Sequence, residues 1–543
     1  MESQTRTWIL GFLLVVCAAT GLRLWGIDQG LPHLMTRPDE EVLLYKTRHP
    51  ALGSIDLEYK RGHPGVPSAY IFLLWGWGEV GLPVMQALDL APDGGYLHVL
   101  KQAPERILLL QRLVSVLAAV GTVIVLMLLV RREMGTGAAL AAGLLVATSF
   151  LHVRESHSAK PDVALGFWVM ASLGLLARLA ERATTGRAAA AGAAIGLGMA
   201  MKPPAVLLLA PAWLAAVMGT EGRGLRRVIP PVAIVVGLVA GAVFLATSPD
   251  SILNPTTRQQ LVGIIYLVFP SLDPTPVVGS TLQTAPAPNH SLLAGALHYY
   301  DFTLRHGVGW LVMAASPIGV AWGFASKKRL AVLSATFVTI AFLVFAASPA
   351  SQPRYMVPLI PPLAVLLIGA AAAACRRLAA PRWENALLAL ITSVLIAQPL
   401  YDSIVFDRIV SRTDTRVLTT QWVRDNVPDG SVVAVSGYVY WTWGDPVLPP
   451  SVETVRTSLD PAALDAAGAD YLVTHDYPLF SSTIDPDALA ALAPRLELLR
   501  EFDPFVGPRE DARFDAQDAY YVPLAGMDTV ERPGPVIRIY GLR

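Results

Sequence analysis

The chain has 543 residues, 53% of them hydrophobic and only 15% charged, and its formal net charge is zero. So little charge cannot cover a water-soluble protein of this size, and a zero net charge leaves no basic footprint for nucleic acid. The composition therefore indicates a membrane protein and excludes a nucleic-acid-binding class.

Apolar runs recur along the first 400 residues, and each is long enough, or nearly so, to cross about 30 Å of hydrocarbon. We predict eleven membrane spans, of which the first is a retained signal anchor. The fifth and sixth are short and are separated by little more than Lys202-Pro203-Pro204. The predicted spans cover residues 8–26, 107–130, 137–153, 162–179, 188–201, 203–219, 228–246, 308–325, 330–347, 355–374 and 383–400.

The basic loops test this count. With eleven spans, every Arg- and Lys-rich loop falls on one side, and such short loops stay in the cytoplasm. The pattern predicts a multi-pass protein of the plasma membrane with a cytoplasmic N-terminus and an extracytoplasmic C-terminus. Removing one short span would place the later basic loops on the opposite side. The loops are marked by Arg131 and Arg132, by Arg178, Arg182 and Arg187, by Arg223, Arg226 and Arg227, by Lys327, Lys328 and Arg329, and by Arg376, Arg377 and Arg382.

The outer face then holds a long first loop, 27–106, in which Val66–Val80 is rich in aromatic residues. This stretch follows two prolines and predicts an interfacial helix at headgroup depth. The other predicted outer loops are 154–161, 247–307 and 348–354.

The region after the last span changes character. Thr415–Asn426 predicts a helix that stops at Pro428-Asp429-Gly430, and Ser431–Ser436 and Asp470–Thr474 predict buried strands. We therefore predict two domains, a membrane domain over 1–400 and a small extracytoplasmic α/β domain over 401–543.

An acidic cluster, Asp39-Glu40-Glu41, lies just outside the first span. A carboxylate at a membrane surface can take a proton from an acceptor hydroxyl, or it can hold a divalent metal that offsets a donor phosphate. His63, which precedes the interfacial helix, is a candidate third ligand for that metal. The alternatives are a solvated loop charge for the acids and a turn-capping role for the histidine.

The loop 154–161 is dense with polar groups, and Asp162 lies where the chain re-enters the bilayer. A lone carboxylate there costs roughly 2.5–3.5 kcal/mol on insertion scales, so it needs a partner inside the protein. Lys202 is one candidate. The same lysine can instead hold a donor phosphate as a point charge, and a purely structural ion pair is the alternative.

Arg354 opens a late span and is the only basic residue of its predicted outer loop. An arginine there can grip a phosphate through two parallel hydrogen bonds, or it can snorkel to the interface. Asp301, Arg305 and His306 end the loop 247–307 and are weaker candidates for the same cavity, and Pro270–His290 is a candidate flap.

In their order, these pieces resemble the GT-C glycosyltransferases that use polyprenyl-phosphate sugars. The resemblance is strongest to bacterial relatives of protein O-mannosyltransferases and of the lipid A aminoarabinose transferase, and it covers residues 8–400. It rests on Asp39-Glu40 with Tyr45, His63-Pro64-Gly65, Arg112 to Ser115 leading to Arg131-Arg132, Arg154 to Asp162, Gly196 through Lys202, and Arg354-Tyr355 to Pro358, with Thr415-Arg416 through Gly430 beyond.

The resemblance implies a mainly α polytopic membrane protein of GT-C type. It implies a hexosyl- or pentosyltransferase that moves a sugar from a polyprenyl-phosphate donor to a lipid, glycan or protein acceptor on the outer face. By position, Asp39 matches the catalytic acid of the family. Lys202 and Asp162 match a lysine and an aspartate near the donor site, and Arg354 matches the arginine that opens a late span.

The sequence departs from the family pattern at His63-Pro64-Gly65, where two prolines are usual, and at Glu41, a third acid. These departures leave open the metal dependence and the identity of the base. The predicted catalytic residues are Asp39 and Glu40, the predicted metal ligands are Asp39, Glu40 and His63, and the predicted substrate-binding residues are Tyr45, His63, Arg154, Asp162, Lys202, Arg305, Arg354 and Tyr355.

The predicted mechanism is a direct displacement with inversion, in which Asp39 removes the acceptor proton and Lys202 and Arg354 steady the phosphate. A transporter or lipid flippase is the first rival, because a span broken at Lys202-Pro203-Pro204 and an intramembrane Asp162 suit a transporter. The second rival is a non-catalytic receptor or assembly protein. Convergence of Asp39, Lys202 and Arg354 on one cavity would favour the enzyme.

Overall fold

A computed structural model describes residues 2–54, 66–221, 228–253, 291–348, 352–436, 442–479, 484–515 and 518–543. The chain divides into two compact units. The helical unit comprises Met1–Leu24 and Val42–Ser403, and the sheet unit comprises Trp25–Glu41 and Ile404–Arg543. A short N-terminal segment therefore groups with the C-terminal part of the chain rather than with the helices on either side of it.

Long apolar helices dominate the helical unit, as a protein that crosses a membrane requires. Each of the eleven predicted spans coincides with helical structure, but in the described ranges only six stretches are long and apolar enough to cross a membrane, or seven if a pair bent by 58° is one span. The count of eleven is therefore not confirmed. The six are Thr5–Leu24, Pro104–Met134, Pro161–Glu181, Arg329–Ala347, Pro353–Leu378 and Glu384–Asn426, and the bent pair is Thr136–Ala147 with Phe150–Ser156.

Shorter helices account for the difference. Thr185–Met201 has 17 residues, and Pro203–Gly219, Pro231–Thr247 and Trp310–Ala325 are apolar but also short. Proline limits several of them, because it cannot donate a backbone hydrogen bond inside a helix. The remaining helices up to residue 307 are Leu34–Thr36, Glu40–Lys46, Arg48–Ala51, Ser68–Ala87, Tyr96–Gln102, Asp250–Leu253, Leu292–Leu297, the π-helix His298–Leu304 and Arg305–Gly307.

Two glycines bring the helices Thr185–Met201 and Pro231–Thr247 into close contact. A Cβ added to Gly192 would lie 2.6 Å from the carbonyl oxygen of Val236, and one added to Gly196 would lie 2.6 Å from that of Ala240. Small residues four positions apart allow helix backbones to approach closely inside a membrane. This contact fixes Thr185–Met201, and with it the position of Lys202 at its end.

A five-stranded sheet forms the centre of the sheet unit, in the order β2-β1-β3-β5-β4. β1 runs parallel to both β2 and β3, whereas β5 is antiparallel to β3 and β4. The two strands predicted from the sequence are β1 and β3. The strands are β1 Val432–Ser436, β2 Glu453–Arg456, β3 Tyr471–Asp476, β4 Leu496–Phe502 and β5 Val536–Leu542.

Helices cover both faces of this sheet. Successive residues of a strand point to opposite faces, so one strand contributes side chains to both packing clusters. Val433 and Val435 pack with the helix Thr415–Asn426, which runs as the sequence predicts. Ala434 lies on the other face, in a cluster with residues of Pro461–Ala467 and Pro486–Leu492.

Candidate active site

Asp162 and Lys202 form an ion pair inside the helical unit. Asp162 lies in the first turn of Pro161–Glu181, and Lys202 follows the last residue of Thr185–Met201, where Pro203 ends the helix. The Lys202 Nζ is 2.6 Å from the Asp162 Oδ1, and the side chains are 21% and 3% exposed. The buried carboxylate thus has a compensating charge, and the ammonium keeps contact with the surroundings.

Tyr355 packs against the same ammonium, with its ring centroid 4.9 Å from the Lys202 Nζ. A further aromatic contact, 5.7 Å between ring centroids, links Tyr355 to Phe345. Arg354 is half-buried and precedes Tyr355 in the 3₁₀ helix Pro353–Leu359, which packs on Pro161–Glu181. The structure therefore brings Asp162, Lys202 and Tyr355 together and places Arg354 next to them in the chain.

The predicted loop 154–161 is buried rather than exposed. Arg154 Nη1 lies 2.6 Å from Glu155 Oε1, and both side chains are almost completely buried. The backbone is held from two sides, because Tyr70 donates a hydrogen bond to the carbonyl of Ala159 at 3.0 Å and Ser115 donates one to that of Lys160 at 3.4 Å. The charge of Arg154 is thus balanced by a neighbouring carboxylate.

The other predicted substrate-binding residues are either exposed or outside the described residues. Tyr45 is 46% exposed on the helix Glu40–Lys46. Arg305 pairs with Asp301 at 3.3 Å, and both side chains are exposed, a type of pair that contributes little to stability. His63 and the candidate flap Pro270–His290 lie outside the described residues.

The acidic cluster belongs to the sheet unit up to Glu41. Asp39 has a φ of 73°, a left-handed conformation that side chains other than glycine rarely adopt. Glu40, the first residue of the next helix, is completely buried. Such backbone strain persists only where the surroundings determine it, and it concentrates at functional sites.

Glu41 is the acid that sequence reasoning undervalued. Burial raises its pKa to about 7, and the charge of Asp39 adds to the effect, although hydrogen bonds from its own backbone N–H and from Trp443 oppose it. The Trp443 Nε1–H donates to Glu41 Oε1 at 3.4 Å. A carboxyl that titrates near neutrality is suited to proton transfer. The raised pKa of Glu41 depends on packing that is not visible in the sequence.

One or two carboxylates together with a substrate phosphate can hold a divalent metal ion. Asp39 and Glu40 supply two carboxylates, and the third predicted ligand, His63, lies outside these ranges. Across the described parts of the chain, no three His, Cys, Asp or Glu side chains come together as a metal site.

The two groups of candidates lie in different units. Asp39 belongs to the sheet unit, and Lys202, Asp162 and Arg354 belong to the helical unit. Their convergence on one cavity, which the sequence predicts, stays a prediction.

Residues 109–246 match the model of a protein family described as dolichyl-phosphate-mannose-protein mannosyltransferase. The matched stretch includes Asp162 and Lys202. No individual curated protein matches the chain.

Solved structures with a similar fold cover most of the chain. ArnT from Cupriavidus metallidurans in the apo state is 15% identical with a TM-score of 0.50, and the match covers 98% of both chains. The Archaeoglobus fulgidus oligosaccharyltransferase tethered with an acceptor peptide is 12% identical with a TM-score of 0.52, covering 86% of this chain and 69% of that one. The same enzyme in complex with Zn and sulfate is 13% identical with a TM-score of 0.50, covering 86% and 68%.

These matches show the fold. The fold, helical membrane region and small C-terminal sheet included, is that of the GT-C glycosyltransferases. The resemblance read from the sequence is thereby confirmed, and the chain is a multi-pass membrane protein similar to the mannosyltransferase family over residues 109–246.

Proposed function

We propose that this protein is a glycosyltransferase that moves a hexose or pentose from a polyprenyl-phosphate donor to an acceptor. The observation that carries the proposal is the buried Lys202–Asp162 pair beside Tyr355 and Arg354, in a chain with the GT-C fold. Ionisable groups inside a membrane bundle are expensive, and their usual reason is function. The two cations of the cluster suit a phosphate, which supports a donor sugar carried on a lipid phosphate.

Lys202 and Arg354 hold the donor phosphate in this proposal. The Lys202 ammonium acts as a point charge, and the Arg354 guanidinium binds two phosphate oxygens in parallel. Asp162 fixes the lysine at 2.6 Å, and the Tyr355 ring supports it through a cation–π contact. These cations gain importance as negative charge builds on the leaving phosphate.

The chemical step is a single displacement at the anomeric carbon. Asp39 accepts the proton of the acceptor hydroxyl, and the acceptor oxygen forms a bond to the anomeric carbon. The bond from that carbon to the phosphate oxygen breaks, and polyprenyl phosphate leaves with the electron pair. Inversion follows from a single displacement. Glu40 orients Asp39, and Glu41, whose pKa of about 7 suits proton transfer, is the second candidate for the base.

The proposed setting is the plasma membrane, with the N-terminus in the cytoplasm and the reaction on the outer face. With the eleven predicted spans, the basic loops would all lie on the cytoplasmic side, which supports this orientation. The acceptor is a lipid, a glycan or a protein. The similar oligosaccharyltransferase, crystallised with a tethered acceptor peptide, supports keeping a protein acceptor in the test panel.

The test uses the purified full-length protein in lipid nanodiscs with a panel of polyprenyl-phosphate hexoses and pentoses and candidate acceptors. We expect one donor to release free polyprenyl phosphate in step with transfer of its sugar. Asp39→Asn should lower kcat at least ~100-fold, the scale of a lost general base, while donor binding persists.

A transporter or flippase would give a different result. Labelled lipid would cross the bilayer of a proteoliposome without loss of its sugar, and Asp39→Asn would leave that movement unchanged. Such a result would contradict the glycosyltransferase proposal.

A further inference from the structure

The segment Trp25–Glu41 carries Asp39, Glu40 and Glu41, yet it groups with the sheet unit at the other end of the chain. The side-chain contacts between this segment and the rest of the sheet unit, called ties here, therefore determine the position of the acids.

Arg416 forms the first tie through a buried, forked ion pair with Asp414. The Arg416 Nε and Nη2 donate to the two carboxylate oxygens at 2.9 and 2.6 Å, and both side chains are fully buried. The third nitrogen, Nη1, donates to the carbonyl of Met35 at 3.3 Å and to that of Trp443 at 2.5 Å. One guanidinium thus joins residues 381 positions apart in the sequence.

Both members of this pair are charged in the folded protein. Burial alone would raise the pKa of Asp414, but the charge and hydrogen bonds of Arg416 outweigh it and hold the pKa below its ordinary value. Burial acts to lower the pKa of Arg416, and Asp414 reverses that effect. The ring of Tyr521 lies 4.9 Å from the guanidinium carbon. The fork is therefore rigid, and it directs Nη1 at the acid-bearing segment.

A second tie lies two residues before Asp39. Arg37 Nη1 is 2.6 Å from Asp518 Oδ2, and the Arg37 guanidinium lies over the Tyr520 ring at 4.3 Å. A third lies two residues after Asp39, where Trp443 donates to Glu41. Asp39, with its positive φ, thus sits between two anchored residues.

We propose that Arg416, with Asp414 as its support, is a positioning residue that holds the acid-bearing segment in its strained conformation and so presents Asp39 for catalysis. This inference rests on the proposed function. Arg416 touches neither donor nor acceptor in this account. It acts through the carbonyls of Met35 and Trp443, which set the backbone on which the acids are mounted.

The double variant Asp414→Asn/Arg416→Gln tests the proposal. It removes both charges together, so no buried charge is left unpaired, and asparagine retains the ability to cap the helix Thr415–Asn426. Glutamine lacks the third donor that reaches Met35. Hydrogen exchange of the full-length protein is measured on peptides covering 33–41, β1 and β3, together with kcat and the donor KM.

We expect exchange over 33–41 to accelerate at least ~10-fold while β1 and β3 keep their protection. We expect kcat to fall ~10- to 100-fold with a donor KM within about twofold of the parent, because a misplaced acid loses transition-state but not ground-state interactions. A matched control is Asp465→Asn/Arg495→Gln, a surface pair of the same unit with 2.5 Å between Arg495 Nη2 and Asp465 Oδ1, which should change neither quantity.

A second variant, Arg37→Met/Asp518→Asn, removes the other anchor without leaving a lone charge and should give the same pattern, so the proposal can be tested even if the first variant does not fold. Unchanged exchange over 33–41, or equal loss of protection in β1 and β3, overturns the positioning role. Faster exchange confined to 33–41 with unchanged kcat would show that Arg416 holds the segment without serving catalysis, which also overturns the proposal, whereas the role of Asp39 itself is tested by Asp39→Asn.

Discussion

Each unit contains a buried ion pair between a cation and an aspartate, and the two pairs differ in the exposure and contacts of the cation. In the helical unit, the Lys202 Nζ lies 2.6 Å from the Asp162 Oδ1, and the lysine side chain stays 21% exposed. In the sheet unit, Arg416 gives two nitrogens to Asp414 and the third to backbone carbonyls, and it is fully buried. A cation that binds a substrate must stay accessible to it, whereas a cation that holds a backbone can be fully buried.

The largest expected effect comes from removing one partner of the Arg416–Asp414 ion pair in the sheet unit. Arg416→Met leaves the Asp414 carboxylate buried and unpaired, which should lower the free energy of unfolding of the sheet unit by about 3–5 kcal/mol. Hydrogen exchange of peptides from β1 and β3 as a function of denaturant concentration measures it. The neutral double variant Asp414→Asn/Arg416→Gln is the control and should lose much less. Equal losses for the two would mean that the unpaired charge is not the cause.

The matching change in the helical unit should affect binding more than stability. Asp162→Asn/Lys202→Met removes both charges, so stability should change by no more than about 1 kcal/mol, whereas loss of one charged contact to phosphate should raise the donor KM by ~10- to 100-fold. Steady-state kinetics and thermal unfolding of the same preparation separate the two. A stable variant with an unchanged donor KM would show that the pair is purely structural.

Acid should destabilise the sheet unit through two histidines. Burial, with the charge of Arg416, lowers the pKa of His33 to about 3, and burial with Arg456 lowers that of His475 to about 3. At these two histidines, the unfolded chain therefore binds up to two more protons than the folded one between about pH 6.5 and 4.5, so their contribution to stability falls as the pH falls. Glu41 acts oppositely, because its folded pKa of about 7 lies above the model-peptide value.

The net expectation is a loss of about 1.4 kcal/mol per pH unit across that window, the effect of one uncompensated proton. Urea unfolding of the sheet unit at several pH values measures this slope. His33→Asn should flatten it, and a variant slope as steep as the parent's would contradict the assignment.

The smallest expected effect concerns Arg305. Its exposed pair with Asp301 should contribute about 0.2–1 kcal/mol to stability, so Arg305→Gln should unfold almost like the parent. Donor and acceptor KM values then decide whether Arg305 has a binding role. Unchanged values would remove it from the substrate-binding set.

Sequence patterns predicted what depends on local chemistry. Apolar runs marked the helices, and the helix Thr415–Asn426, β1 and β3 were visible because their apolar residues repeat and turn signals bound them. β2 was missed because its four residues, Glu453–Arg456, contain little apolar surface, and β4 because it is mostly exposed. The predicted count of eleven spans is not confirmed, because several of the helices are shorter than a bilayer usually requires.

The candidate site was predictable in its residue types and only partly in its arrangement. Asp162 and Lys202 could be matched because a carboxylate entering the bilayer needs a cation. The ties of the acid-bearing segment could not be foreseen, since Met35 and Arg416 are 381 residues apart and no local periodicity links them. The raised pKa of Glu41 has the same origin, because its burial depends on such long-range packing.

The grouping of Trp25–Glu41 with the C-terminal sheet also limits how this architecture can be recombined. A chimaera that grafts the last 140 or so residues of a relative onto this scaffold would separate Arg416 and Asp518 from the stretch they fasten. Trp25–Glu41 and Ile404–Arg543 should therefore be exchanged together. We expect a swap of the C-terminal residues between relatives to be tolerated only when the N-terminal segment is exchanged as well.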